Sequence, residues 1–277
     1  MAQAHFPADD VRFAGGLAYA APLGFRPLLL DLYLPAAGPP PPLVLFLHGG
    51  GWLRGDRALI GPGFAGWQPG PLALLAAEGF AVASADYRLS GEARFPAQLE
   101  DVTAAVEWLT SQAGEFGFDA SRIVLWGESA GAHLAALLGL RSSGPAVRGV
   151  VDWYGPADLA ALDQQVGPAG ALTDDPFDTR QARLLGAPVA QLPELARAAS
   201  PISHVRAGAP PFLIAHGTAD RAVPFGQSEA LAAALAAVGA DVRFEAVDGA
   251  DHVWAGLADL RPLFNAVVEF AREVTAG

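Results

Sequence analysis

The stretch IVLWGESAGAHLAALL, residues 123–138, constrains this chain most. Its first four residues, Ile123 to Trp126, are apolar at every position, which fits a short strand buried on both faces. From Ala130 to Leu140 the chain is again apolar and reads as a buried helix. A strand covered on both faces and followed by a buried helix calls for a parallel sheet with helices above and below it. Between the two, Gly127, Ser129 and Gly131 form the pattern G-x-S-x-G. A serine at the tip of such a sharp turn is held in a strained backbone conformation, and side chains at the flanking positions would collide with the strand or the helix. The turn exposes the Ser129 hydroxyl and sets the next backbone N–H groups at a helix N-terminus, where negative charge is favoured.

The same alternation runs along most of the chain. Val11–Ala14 is a candidate edge strand, and Leu28–Leu34 is an apolar run ended by Pro35. Leu43–Leu47 reads as another doubly buried strand, followed by His48-Gly-Gly-Gly-Trp52 and a loop rich in Gly and Pro to Gly70. Pro71–Glu78 reads as a helix closed by Gly79, and Phe80–Ala85 as a strand leading to Asp86-Tyr-Arg88. Leu99, Val102, Val106 and Leu109 line one face of a helix over Pro96–Ser111. Strands are expected at Val147–Trp153, Phe212–Ala215 and Val242–Val247, and helices at Gln227–Val238 and Asp259–Val274. Residues 155–205 interrupt the pattern, with short helical pieces near Arg180–Leu185 and Leu192–Ala198. They read as an insertion over the sheet edge or a small lid, inside a single domain spanning 1–277. Such a domain is α/β, with a mostly parallel sheet and its ligand site beyond the C-terminal strand ends.

Composition removes several chemistries. The chain is 52% hydrophobic and only 17% charged, with a formal net charge of −12, which disfavours nucleic acid or an anionic membrane as a partner. It contains neither cysteine nor lysine. Thiol nucleophiles, thiolate metal sites, Schiff bases and a Ser–Lys pair are therefore excluded. Residues 1–10 lack a basic segment followed by an apolar core, and no apolar run is long enough to span a bilayer; a cytoplasmic protein is expected. No H-E-x-x-H or comparable spacing suggests a metal.

Polar residues gather at the predicted strand ends: His48, Asp86, Ser129, Asp220 and His252. A serine hydroxyl needs a base to accept its proton, and the base needs an orienting partner. His252, in a loop after the last strand, is the preferred base. His216 competes but sits where it would be held inside a βα turn, His133 lies on the buried helix, and His5 and His204 have no supporting context. Asp220, after strand Phe212–Ala215, is the preferred orienting carboxylate; Asp248 and Asp251 are rivals, and Asp248 could serve if its loop folds back. The backbone N–H groups of Gly50, Gly51 and Ala130 can receive an oxyanion. Trp52, Trp153, Tyr154 and Trp254, with Phe177, are candidates for the pocket wall, although each could equally belong to the core.

Several motifs together resemble a known family: H-G-G-G-W at 48–52, D-Y-R-L at 86–89, F-P-A-Q-L-x-D at 95–101, G-E-S-A-G at 127–131 and H-G-x-x-D-x-x-V-P at 216–224. They are similar to the α/β-hydrolase esterases, closest to hormone-sensitive-lipase-like and bacterial feruloyl-esterase-like carboxylesterases, over nearly all of 25–275. The resemblance implies a catalytic triad of Ser129, Asp220 and His252, an oxyanion hole of Gly50, Gly51 and Ala130, no cofactor, and a structural role for Glu128. It implies a serine carboxylesterase taking short-chain or aromatic acyl esters through an acyl-enzyme on Ser129. An arylformamidase-type amidase or a carbohydrate deacetylase would use the same triad, and a non-catalytic small-ligand receptor is a third reading. The family's N-terminal cap is reduced here, since residues 1–27 alone precede the first strong strand, which argues against long-chain lipase activity. Oligomeric state is not indicated.

Overall fold

The computed structural model describes residues 10–142, 146–175 and 177–276. Residues 1–9, including His5 and most of the N-terminal segment assessed above for a leader, lie outside them. Eight strands form one sheet: β1 (Val11–Ala20), β2 (Leu28–Pro35), β3 (Pro42–Leu47), β4 (Ala81–Ala85), β5 (Asp119–Glu128), β6 (Val147–Trp153), β7 (Phe212–Gly217) and β8 (Val242–Val247), in the order β1-β2-β4-β3-β5-β6-β7-β8. β1 pairs antiparallel with β2, and β2 with β4; every other pairing is parallel.

Side-chain alternation divides the interior in two. Leu43, Leu45 and Leu47 of β3, with Ile123 and Leu125 of β5, face one apolar cluster, while Val44, Phe46, Val124 and Trp126 face the other. The first face is covered by α2 (Ala97–Phe116), α3 (Ala130–Arg141) and α7 (Gly226–Ala237), through residues such as Val102, Leu134 and Leu231. The second is covered by α1 (Pro71–Ala77) and α8 (Arg261–Thr275), through residues such as Leu75, Phe264 and Val267. The central strands are therefore apolar at every position because both of their faces are covered.

The structure departs from the sequence expectation in places. β1 is a ten-residue strand rather than a short edge piece. Its register shifts between Ala14 and Leu17, where Asp31 Oδ1 accepts the Gly16 N–H at 2.7 Å. Glycines at 15 and 16 weaken the local strand signal, and pairing with β2 overrides it. Within 155–205, α5 (Arg180–Leu185) and α6 (Pro193–Ala198) fall where expected, but a further helix, α4 (Leu159–Val166), precedes them. Asp158 caps α4 by accepting from the N–H groups of Ala160 and Ala161, both at 3.0 Å. No helix among the described residues is long and apolar enough to cross a membrane.

The contact that joins the first turn of α3 to the end of β3 leaves no room for a side chain: a Cβ on Gly131 would overlap the carbonyl oxygens of Leu47 and His48. Gly131→Ala is expected to cost about 1–3 kcal/mol or more of stability, because backbone must move on both sides. Urea unfolding of the variant against the parent chain measures it.

Candidate active site

β5 ends at Glu128 and α3 begins at Ala130, so Ser129 alone makes the turn. Its backbone lies at φ +52°, ψ −115°, in the left-handed half of conformational space. The strain is held from both sides. A Cβ on Gly127 would overlap Gly131, and the Ser129 N–H donates to the Trp153 carbonyl at the end of β6, 2.8 Å away.

The preferred base and carboxylate come together at this serine. His252 Nε2 stands 3.1 Å from Ser129 Oγ, and His252 Nδ1 stands 2.7 Å from Asp220 Oδ2. Because a carboxylate only accepts, Nδ1 is the protonated nitrogen and Nε2 is free to accept the serine proton. Asp220 follows β7. Its Oδ1 accepts the N–H groups of Ala222 and Val223, both at 2.8 Å, and its Oδ2 lies 3.2 Å from His216 Nε2. Burial would raise the Asp220 carboxyl, but bonds from His216, His252 and the Val223 N–H outweigh burial and hold it well below the usual carboxylate range.

The competing residues have other work. His216 is buried, with Nε2 on the Val223 carbonyl at 2.9 Å and Nδ1 on Ser228 Oγ at 2.7 Å. His133 Nε2 donates to the Ala199 carbonyl at 2.6 Å, so its Nδ1 accepts from Trp52 Nε1 at 3.3 Å. Burial pushes the His133 imidazole down to about 4, keeping that neutral tautomer. His204 donates to the Ala198 carbonyl, 2.8 Å away. Asp251 caps the His252 N–H at 2.8 Å and holds Arg221 Nε at 2.7 Å. Asp248 faces Thr218 Oγ1 at 3.4 Å, and its loop does not carry it to His252.

The aromatic candidates divide. Trp52 lines the cavity at Ser129, whereas Trp153, Tyr154 and Trp254 do not. These three are core residues, packed edge to face behind the imidazole: Tyr154 lies 4.9 Å from the His252 ring and 4.8 Å from Trp254, and Trp153 lies 5.4 Å from Trp254. The pocket-wall expectation for them fails because each side chain points into the cluster beneath α1 and α8. Phe177 is 64% exposed and also lies outside the cavity. His252 opens a 3-10 turn whose next two residues, Val253 and Trp254, have φ of +57° and +63°. That turn sends the Trp254 indole into the apolar cluster while the imidazole reaches Ser129.

The loop after β3 approaches from the other side. Gly50 and Gly51 have φ of +113° and +63°, and their N–H groups donate to no acceptor among the described residues. Ala130, as the first residue of α3, also lacks an intrahelical acceptor. The loop is fastened at several points. Tyr87 stacks on His48 at 4.3 Å and donates to its carbonyl at 2.8 Å. Arg57 Nε reaches Asp31 at 2.8 Å, and the Arg57 N–H reaches Asp86 at 2.8 Å. Further on, the Gly61 N–H donates to Glu128 Oε2 at 2.9 Å. His48 and Asp86 thus support the loop and do not face the cavity.

The cavity holds about 320 Å³. Besides Ser129 and Trp52, sequence reasoning missed its roof: Leu162, Gln165 and Val166 from α4, and Arg180 from α5. These residues sit in the insertion, where neither motif nor periodicity marks them. No cluster of three or more His, Cys, Asp or Glu side chains suited to a metal occurs among the described residues.

Comparison with known proteins agrees with this architecture. The family model described as BD-FAE matches residues 30–235. The chain belongs to the BD-FAE family. Esterase LipC of Mycobacterium tuberculosis (strain ATCC 25618 / H37Rv) is 32% identical over 247 residues, covering 85% of this chain and 59% of LipC. Esterase LipQ of the same strain is 30% identical over 96% of this chain and 64% of its own length. The chain thus spans about 60% of the length of these curated relatives. Among solved structures, a truncated form of a carbohydrate esterase from gut microbiota superposes with a TM-score of 0.81 at 28% identity, over 98% of this chain and 99% of that one. The fold shared by these esterases is the α/β-hydrolase fold.

Glu128, beside the serine, is buried. Burial pushes its carboxyl up to about 7, although the nearby Tyr154 hydroxyl and the Gly61 N–H favour the charged form. Its ordinary value is 4.5, so the folded chain keeps a proton that the unfolded chain loses between about pH 4.5 and about pH 7. Stability therefore falls as pH rises through that window. Glu128→Gln keeps an acceptor for Gly61 and removes the titration. The variant is expected to gain stability relative to the parent chain between about pH 5 and about pH 8, measured by urea unfolding at both.

Proposed function

We propose that this chain is a serine carboxylesterase, one domain whose residues 155–205 roof the site. The observation that carries the reading is the continuous relay from Ser129 Oγ to His252 at 3.1 Å and on to Asp220 at 2.7 Å. Ser129 Oγ attacks the ester carbonyl carbon while its proton passes to His252 Nε2. The carbonyl oxygen becomes an oxyanion, for which the N–H groups of Gly50, Gly51 and Ala130 are the available donors. Collapse of the tetrahedral species breaks the bond to the leaving oxygen, which takes the proton from His252. Water then repeats the sequence on the acyl-enzyme, freeing the acid and restoring the serine. Asp220 holds the imidazole in the required tautomer and stabilises it once charged.

A cavity of about 320 Å³ lies at the small end of ligand pockets and suits a short acyl group. A second reading, deacylation of a carbohydrate ester, is supported by the likeness along nearly the whole chain to the gut carbohydrate esterase. Nitrophenyl acetate and an acetylated sugar, assayed side by side, separate the two.

A fluorophosphonate is expected to add its mass to the parent chain and not to Ser129→Ala; labelling that persists in the variant overturns the assignment. Asp220→Asn is expected to lower kcat by roughly 10³–10⁴, because Asn does not hold the required tautomer. Asp248→Asn should stay within about threefold of the parent, since Asp248 lies outside the relay. A large loss in Asp248→Asn with little in Asp220→Asn would reverse the choice of carboxylate.

A further inference from the structure

We propose that Arg180 recognises an anionic group, a carboxylate, carried by the ester that enters the Ser129 cavity. This names a substrate class for the esterase reading above and rests on it.

Charged residues lining the cavity are few: Asp220, Arg221 and Arg180. Asp220 is engaged by His252, His216 and two backbone N–H groups. Arg221 is paired with Asp251, with Nε 2.7 Å from Oδ2. Arg180 makes no hydrogen bond or ion pair among the described residues. Arg180 is therefore the one charged side chain lining the cavity that has no polar partner among the described residues, and it is positive.

Its position is specific. The side chain lies over the loop after β3, where a Cβ on Gly51 would come within 3.0 Å of Arg180 Nε. A substrate whose carbonyl oxygen meets the Gly51 N–H thus has the guanidinium beside it. The base of the side chain is fixed while its head stays free. Thr179 caps α5 by accepting the Ala182 N–H at 3.2 Å, and Gln181 Nε2 donates to Asp163 at 2.9 Å.

Gln165 lines the same cavity. Gln227 Oε1 accepts the N–H groups of Ala157 and Asp158 at 2.9 and 2.8 Å, which fixes the orientation of that amide. Gln227 Nε2 then donates to Gln165 Oε1 at 2.8 Å, leaving the Gln165 NH₂ without an acceptor on a residue that lines the cavity. A guanidinium fork suits the planar, acceptor-only carboxylate, and an amide donor lining the same cavity adds to it.

The test uses two matched pairs of substrates. One places the charge on the acyl side: the 4-nitrophenyl monoester of glutaric acid against that of glutaramic acid. The other places it on the alcohol side: 3-acetoxybenzoate against 3-acetoxybenzamide. The readout is the ratio of kcat/KM for acid over amide within each pair, so a general loss of active protein cancels. In one pair the parent chain should favour the acid, and Arg180→Gln should lower that ratio about tenfold to hundredfold. Arg180→Lys should restore part of it, and Arg180→Glu should lower it further. The pair that responds shows which side of the scissile bond carries the charge. If Ser129-dependent turnover occurs but the ratio changes by less than about twofold in both pairs, the proposal falls and the esterase reading stands. If the parent chain turns over none of the four and a fluorophosphonate leaves Ser129 unlabelled, both fall together.

Discussion

The first turn of α3 rests against the last carbonyls of β3 because residue 131 has no side chain. That contact fixes the height of the helix over the sheet, and much of the site follows from it. β3 and β5 pair in register from Leu43 with Ile123 to Leu47 with Gly127, so both strands end at the same level. The loop carrying Gly50 and Gly51 must then leave β3 directly beside the turn carrying Ser129. Wider separation at position 131 would tilt α3 and part the N–H of Ala130 from those of the glycines. Gly51 and Ala130, two of the donors proposed for the oxyanion, thus come from distant segments to line one cavity.

Two buried carboxylates at this end of the sheet are tuned in opposite directions. Glu128 is pushed up by burial, with one backbone N–H and a nearby phenol as partners. Asp220 gathers two backbone N–H groups and two imidazoles, and stays ionised. Depth of burial and donor count together decide the outcome. Glu128 anchors the Gly61 loop and Asp220 meets the His252 imidazole, and the raised Glu128 carboxyl lessens the second buried negative charge beside the same serine.

The layered sheet was legible because its central strands are apolar at almost every position and a glycine marks a helix end, as at Gly79; the helix read as ending at Ser111 runs on to Phe116, closed by Gly117. Ser129, Asp220 and His252 were legible because each follows a predicted strand, and their approach in space is a property of the parallel topology. His252 lies beyond the residues matched by the family model; its loop after the last strand and the family resemblance pointed to it. Trp52 lines the cavity as expected, whereas Trp153, Tyr154 and Trp254 belong to the core for a definite reason. Trp153 ends a predicted strand and Trp254 lies two residues after His252, but position along the chain does not say which face a side chain takes. Trp153 belongs to the alternation of β6 that faces α8, and Trp254 is turned inward by two left-handed residues. Arg180 and Gln165 were invisible because the insertion has no repeating pattern, and their neighbours are set by tertiary packing.

The turn that carries His252 has a thermodynamic consequence. Val253 and Trp254 are consecutive, neither is glycine, and both sit at positive φ. Such residues cost of order 1–3 kcal/mol each, and surrounding structure must over-determine them to persist. The over-determination is the buried Trp254 indole, wedged among Trp153 and Tyr154. The aromatic cluster therefore acts as a clamp on a spring-loaded segment. Letting go relieves that backbone cost, which favours opening of this segment, and with it the imidazole, over opening of the sheet strands.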